Sequence, residues 1–540
     1  MENMQKTIKK QDVVFLSILI ALCIILFFTL LGNRPLWDVD EGMHAATSKD
    51  MILSGDWITP QFNGKNFYDK PVLFNWLAAI SFLLFGFTEF AARLPAAILG
   101  TGCVLATYFL GRRMHSPTIG LLGGLILATS VEFIVLSRVV VHDIALSFFI
   151  TLALYFFFWG LTDSSRRKSV WLLFYASLGF AVLSKGPIGV LLPGLIIFLF
   201  LLVKRRWNII KDMQIGWGIL IFLAIAGPWY GLIIIENKDY AGYFFIQQNL
   251  AYFFSGESRH PEPFYYYIPI LVGGFFPWFL FLPTALYRTF SKGFARINDG
   301  TLLLLIWFGA VFIFFSTASS KLSTYILPLF PAVSLLVAKL WNDILSTPAK
   351  ESFRKGMLYP LAFLFLLTAA AMVYLLIKPL DVLMTHYGIE AIRINIISAI
   401  MVACTSLTFF LFFKRFYRFS FSTMTGTVVL GIFLFLLLIV PYINPYRSTK
   451  GLAEKLDTLL PQGEQLVFFH RLQDTALFYT DRKASILWGQ QAITDYLATE
   501  KRVFCVMEKK YFDALKNDLP SAHVWGQEGD KLLISNAKPI

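Results

Sequence analysis

Three carboxylates stand within four residues in the stretch Arg34-Pro35-Leu36-Trp37-Asp38-Val39-Asp40-Glu41-Gly42, directly after the first apolar run of the chain, Val13–Leu31. Charge held beside hydrocarbon is expensive, so an acidic cluster at a membrane boundary is read first as a functional site. Asp40 can serve as the N-cap of a helix Glu41–Ser54 that stops at Gly55, with Glu41 favoured by the helix dipole. Capping explains one carboxylate of the three, and Asp40 and Glu41 are therefore taken as candidate catalytic acids. His142-Asp143 opens a later apolar run. Asp143 is either its N-cap or a second acid beside Asp40, where like charges would raise one pKa and prepare a proton acceptor.

The cations nearby suit a phosphate. Lys70, in Tyr68-Asp69-Lys70-Pro71, is either an interfacial lysine reaching for water or a point-charge phosphate ligand. Lys321 and Tyr325, in Lys321-Leu322-Ser323-Thr324-Tyr325, put an ammonium and a phenol at the start of another apolar run. Arg259-His260, followed by Tyr265-Tyr266-Tyr267, adds polar and aromatic groups suited to a sugar or a headgroup, although such aromatics also serve as interfacial anchors. No Ser-His-Asp arrangement, phosphate-cradling glycine loop or HExxH helix occurs, and the four cysteines lie too far apart for a CxxC site.

These residues must be positioned by membrane-spanning elements. Of the 540 residues 57% are hydrophobic and 15% charged, against about 25% charged in an ordinary soluble domain. Apolar runs near 13–31, 92–111, 118–136, 144–161, 170–184, 187–203, 215–235, 267–287, 301–316, 324–341, 358–377, 393–413 and 423–441 predict about thirteen crossings. Val72–Phe87, interrupted by Asn75 and ended by Gly86, is read as an interfacial helix that does not cross. With that helix flat, the basic clusters Arg112-Arg113, Arg166-Arg167-Lys168, Lys204-Arg205-Arg206 and Lys414-Arg415 all face the cytoplasm, as the positive-inside rule requires. The net charge of +13 is thus a topology signal and not a nucleic-acid footprint. The acidic loop then faces outward. From Asn444 onward the composition turns polar. Strand-like runs Gln465–Phe469 and Val503–Met507 alternate with helix-like runs Thr449–Leu460 and Tyr511–Asn517. The expected fold is an all-α polytopic membrane protein with a small C-terminal α/β extracytoplasmic domain. Residues 1–443 would form the membrane domain, with an outer loop 32–90, and residues 444–540 the C-terminal domain.

An Asp-x-Asp pair on the outer side of a membrane meets no nucleotide-sugar pool, so a sugar donor would have to arrive on a lipid carrier. At this point the sequence resembles the bacterial aminoarabinose transferase and protein O-mannosyltransferase group of the GT-C membrane glycosyltransferases. The resemblance is carried in order by Asp40-Glu41-Gly42, Ser54-Gly55-Asp56-Trp57, Asn63-Gly64, Asp69-Lys70-Pro71, Arg93-Leu94-Pro95, His142-Asp143, Ser184-Lys185-Gly186-Pro187, the Pro261–Tyr267 run and Lys321 through Pro328. It implies Asp40 as the key carboxylate, Asp143 as a second acid, and Lys70 and Tyr325 as holders of the lipid phosphate; Lys321 is added from its charge and place. It also implies an undecaprenyl-phosphate sugar donor, a lipid A or related glycolipid acceptor, a monomer, and a multi-pass place in the bacterial inner membrane with the site facing the periplasm. A protein O-glycosyltransferase of the same fold is the second reading and a lipid-linked-sugar transporter the third. No cofactor is required. A divalent metal at Asp69, as in the aminoarabinose enzymes, would lack its histidine because Gln247 stands there, and Gln248-Asn249 replaces the Glu-His pair of those enzymes.

Overall fold

The structure is a computed structural model, describing residues 2–163, 167–251, 261–291, 293–346, 351–377, 382–461 and 463–539. Nine helices among the described residues are long and apolar enough to cross a membrane, and the other expected runs fall on further helices, among them Pro117–Ala128, Arg167–Lys185 and Ile188–Lys204. Two expected spans are not single rods. The 267–287 segment is two helices, Tyr267–Gly274 and Trp278–Ser291, meeting at 106° around Pro277, which has no N–H to continue the first helix. The 118–136 segment breaks between Pro117–Ala128 and Val131–Leu136. There Thr129 turns its hydroxyl back onto the Leu125 carbonyl and receives the Trp278 indole N–H at 3.0 Å.

The elements that carry the site lie at one end of this bundle. Helix α1 (Asp40–Ser54) ends at Gly55, which takes the left-handed conformation (φ 76°) that its missing Cβ permits. Helix α2 (Leu73–Phe85) has 13 residues, about 20 Å of helix, too short for a hydrocarbon core of about 30 Å. Helix α3 (Glu89–Met114) starts on the Thr88 hydroxyl, which accepts from the Ala91 N–H. It carries the fully buried Arg93 near its first turn. Helices α4 (Asp143–Thr162) and α5 (Arg167–Lys185) pack side by side, so the first residue of one meets the last residue of the other.

The C-terminal portion is a five-stranded sheet flanked by short helices. Its strands are β1 (Leu466–Phe469), β2 (Ala484–Leu487), β3 (Phe504–Glu508), β4 (His523–Glu528) and β5 (Lys531–Ser535), in the order β2-β1-β3-β5-β4. β1 pairs in parallel with β2 and β3, and β5 runs antiparallel to β3 and β4. Leu466, Phe468, Phe504, Val506 and Leu533 pack on the helix Lys450–Leu459, while Phe469, Cys505, Met507 and Ile534 cover the other face. The alternation is the period of two that lets a strand bury both faces.

This sheet docks on the acidic loop through the helix α6 (Asp474–Thr480). Gly42 on α1 sits so close that a Cβ there would lie 2.5 Å from the Thr475 nitrogen. Lys49 donates to the Phe478 carbonyl at 2.8 Å and pairs with Asp481. Asn63 exchanges two hydrogen bonds with the Ala484 backbone at 2.8 and 2.9 Å.

Candidate active site

The three clustered carboxylates have three different environments. Asp38 accepts from the Thr475 backbone N–H at 2.7 Å, the Thr475 hydroxyl at 3.0 Å and the Thr449 hydroxyl at 3.3 Å, so it fastens the C-terminal sheet to the loop. Glu41 is buried and accepts two hydrogen bonds from Arg93 (2.7 and 2.9 Å), two from Arg34 (2.8 and 3.4 Å) and one from the Trp37 N–H at 3.1 Å. Burial opposes its charge, but the Arg34 and Arg93 guanidiniums outweigh that and hold its pKa at about 2. Arg93 also donates to the Leu31, Arg34 and Pro35 carbonyls, wrapping the whole loop around one guanidinium. The structure therefore gives Glu41 an anchoring place in place of the catalytic one expected: no lone pair of it is left for a substrate.

Asp40 is neither anchored nor spent on capping. The residue before α1 is Val39 and no side chain caps that helix. The Asp40 carboxylate stays open, yet the surrounding protein strips part of its hydration and Asp143 adds a like charge, so its pKa is raised. Asp143 does not cap α4 with its side chain either. It forms an ion pair with Lys185, whose ammonium lies 4.2 Å from the centre of the Tyr325 ring. Lys70 completes the cluster. Burial and then the Lys185 charge lower its pKa, while Asp69, Asp143 and Asp40 pull it back up. Asp40, Asp69, Lys70, Asp143, Lys185 and Tyr325, from five separate segments, thus share one electrostatic neighbourhood.

Two further residues stand behind it. His44, one helical turn from Asp40, meets His142 edge-on with ring centres 4.4 Å apart. Nδ1 of His44 and both nitrogens of His142 are buried without a hydrogen-bond partner. Burial, then the neighbouring Lys70 for His44 and the neighbouring His44 for His142, disfavours the imidazolium in each.

The other expected residues fall elsewhere. Lys321 donates to the carbonyls of Glu262 (2.7 Å) and Ala318 (2.5 Å), beside a bridge between Pro261 and Ser320. Two of its three donors thus pin two loops together, away from the Asp40 cluster. Arg259 and His260 lie outside the described residues. Asp69 accepts from the Tyr243 hydroxyl at 2.8 Å and from the Gln248 amide at 2.7 Å. Both donors meet the same oxygen, Oδ1, and among the described residues no group of three or more His, Cys, Asp or Glu could hold a metal ion. Gln248 thus satisfies Asp69 by hydrogen bonding. Lys185 and Arg93 are the residues that reading by position missed: both sit in the matched motifs, but only their contacts reveal a task.

Comparison with known proteins bears on the fold that holds this site. The family model described as dolichyl-phosphate-mannose-protein mannosyltransferase matches residues 69–231. An undecaprenyl phosphate-α-4-amino-4-deoxy-L-arabinose arabinosyl transferase of Aeromonas salmonicida is 32% identical over 340 residues, 62% of this chain and 61% of that protein. The match therefore spans under two thirds of that relative. An uncharacterized protein of Aquifex aeolicus is 28% identical over 479 residues, 87% of each chain. The crystal structure of ArnT from Cupriavidus metallidurans bound to undecaprenyl phosphate superimposes with a TM-score of 0.82 at 23% identity, covering 96% of this chain and 98% of that one. Such a likeness shows the fold. Fold, relatives and ordered motifs point the same way: the chain has the fold of ArnT and is similar over 62% of its length to an arabinosyl transferase.

Proposed function

We propose that this protein transfers a sugar from an undecaprenyl-phosphate-linked donor to lipid A or a related glycolipid at the periplasmic face of the inner membrane. The observation that carries the reading is the unanchored Asp40 carboxylate set among Asp143, Lys70, Lys185 and the Tyr325 phenol at the end of the bundle. Such a site separates charge in the way a glycosyl transfer needs. The anomeric carbon loses its phosphate to the cations and gains an acceptor oxygen from the side of the carboxylate, with inversion. For a hydroxyl acceptor Asp40 is the general base, and its raised pKa makes it a better one. For a phosphate acceptor, already anionic, Asp40 stabilises positive charge building on the sugar ring while Lys70, Lys185 and Tyr325 hold the leaving phosphate. Asp143 keeps the Lys185 ammonium in place. Lipid attachment explains why these groups sit at a membrane boundary.

The arabinosyl transferase relatives and the structure solved with undecaprenyl phosphate support this reading over a protein acceptor, whose support is a family match confined to residues 69–231. The test is incubation of purified protein with undecaprenyl-phosphate aminoarabinose and lipid A. Release of free undecaprenyl phosphate together with modified lipid A is expected. Modification of a peptide hydroxyl with lipid A untouched would overturn the acceptor, and movement of donor between leaflets with no release would overturn the enzyme.

A further inference from the structure

The C-terminal sheet carries an aromatic cluster that the transfer site does not use. In a sheet with parallel strands, ligands gather in the crevice beyond the carboxyl ends of those strands. The three parallel strands here each deliver a ring to that edge: His470 directly after β1, Trp488 directly after β2, and Tyr511 shortly after β3. The His470 imidazole stacks on the Tyr511 ring with centres 4.7 Å apart and planes 13° from parallel, and meets Trp488 edge-on at 5.5 Å. Trp488 is 64% exposed, an unusual place for a large indole in a small water-facing sheet.

The backbone is shaped around this cluster. His470 has φ 62°, a left-handed conformation that costs a side-chain-bearing residue energy and is retained where the surroundings impose it. Gly489, after Trp488, has φ 83° and open space on its Cβ side. Gln490 and Arg471 beside the rings are exposed, and the Lys510 ammonium lies 4.7 Å from the Tyr511 ring centre. Flat aromatic faces with amide and cationic donors at their rim suit a pyranose ring, which offers an apolar C–H face to stack and hydroxyls at its edge to bond. The place fits as well. Asp474 is four positions on from His470, at most about 14 Å of chain, and lies within the field of Asp38 and Asp40.

We propose that His470, Trp488 and Tyr511 form a saccharide-binding platform that holds a sugar ring of the glycolipid acceptor outside the membrane while its reacting group reaches Asp40. The naming of that sugar as the acceptor's rests on the function proposed above; the binding of a pyranose does not. Saturation-transfer NMR on the full chain, in a detergent without a sugar headgroup, with di-N-acetylchitobiose as the probe, tests it. Signals on the ring C–H protons are expected, falling at least fivefold in Trp488→Ala and in Tyr511→Ala, with Trp488→Phe retaining most of them. Because Trp488 is exposed, Trp488→Ala is expected to melt within a few degrees of the parent. Absence of signal in the parent, or equal signals in parent and Trp488→Ala, would overturn the platform. Loss of the signals in Trp488→Ala, with no sugar transfer by the parent protein, would keep the platform and remove the acceptor assignment.

Discussion

The two ends of helix α3 hold charge in opposite ways. At its far end Arg112 pairs with Asp12 at 2.8 Å, with Tyr108 donating to the same acid at 2.6 Å, and nearby charges are matched likewise: Asp299 receives Lys204 at 2.7 Å and Arg206 at 2.8 Å. Every one of these acids has a cation of its own. At the near end the carboxylates are divided. Glu41 is saturated by Arg34 and Arg93, Asp38 by backbone and hydroxyl donors, Asp143 is paired with Lys185, and the Asp40 carboxylate stays open among cations that it does not contact. The difference teaches that the number of charges does not mark a site. An acid that the fold leaves unsatisfied does, because the structure bears the cost of crowding like charges there.

The comparison breaks most sharply at Asp40. Asp40→Asn removes the charge with almost no change of shape, so transfer is expected to fall by about 10²–10⁴-fold while the melting temperature stays put; an assay of undecaprenyl phosphate release with near-parent rates would refute the assignment. Glu41→Ala leaves Arg93 buried without its partner and is expected to cost about 3–5 kcal/mol, read as a loss of folded protein in thermal unfolding in detergent. A Glu41→Ala protein as stable as the parent but inactive would instead return Glu41 to the chemistry.

Lys185→Met sharpens the contrast through pH. The working form of Asp40 is the carboxylate, so activity falls as pH drops through its raised pKa. Lys185 is one of the charges that hold that pKa down. Without it the acid limb of the pH–rate profile is expected to move to higher pH, and a limb that stays fixed would separate Lys185 from Asp40. The smallest effect belongs to the far end: Asp299→Ala breaks partly exposed pairs and is expected to cost about 1 kcal/mol or less, with transfer unchanged.

Much of this was legible beforehand where the signal is local. Asp40 and Asp143 stand out by position, yet capping competes with function for both, and only the tertiary structure shows that neither side chain caps its helix. In the C-terminal portion the apolar runs behind β1 and β3 read as strands because they are central and buried on both faces. β2 and β4 are edge strands of mixed polarity, half open to water, and give no such run. The hairpin of β4 and β5 did leave a sign that went unread: Gly529-Asp530 lies between Glu528 and Lys531, which face each other across the pair.

The sequence by itself determined that the chain lives in a membrane, where its acids cluster and which family its motifs resemble, since hydropathy and motif spacing are properties of short windows. Which acid is free was decided only by the tertiary structure. Glu41 is claimed by an arginine 52 residues away, Asp143 by a lysine 42 away and Asp38 by a threonine 437 away. Pairing of charges is a matter of distance in space, and no window along the chain contains it.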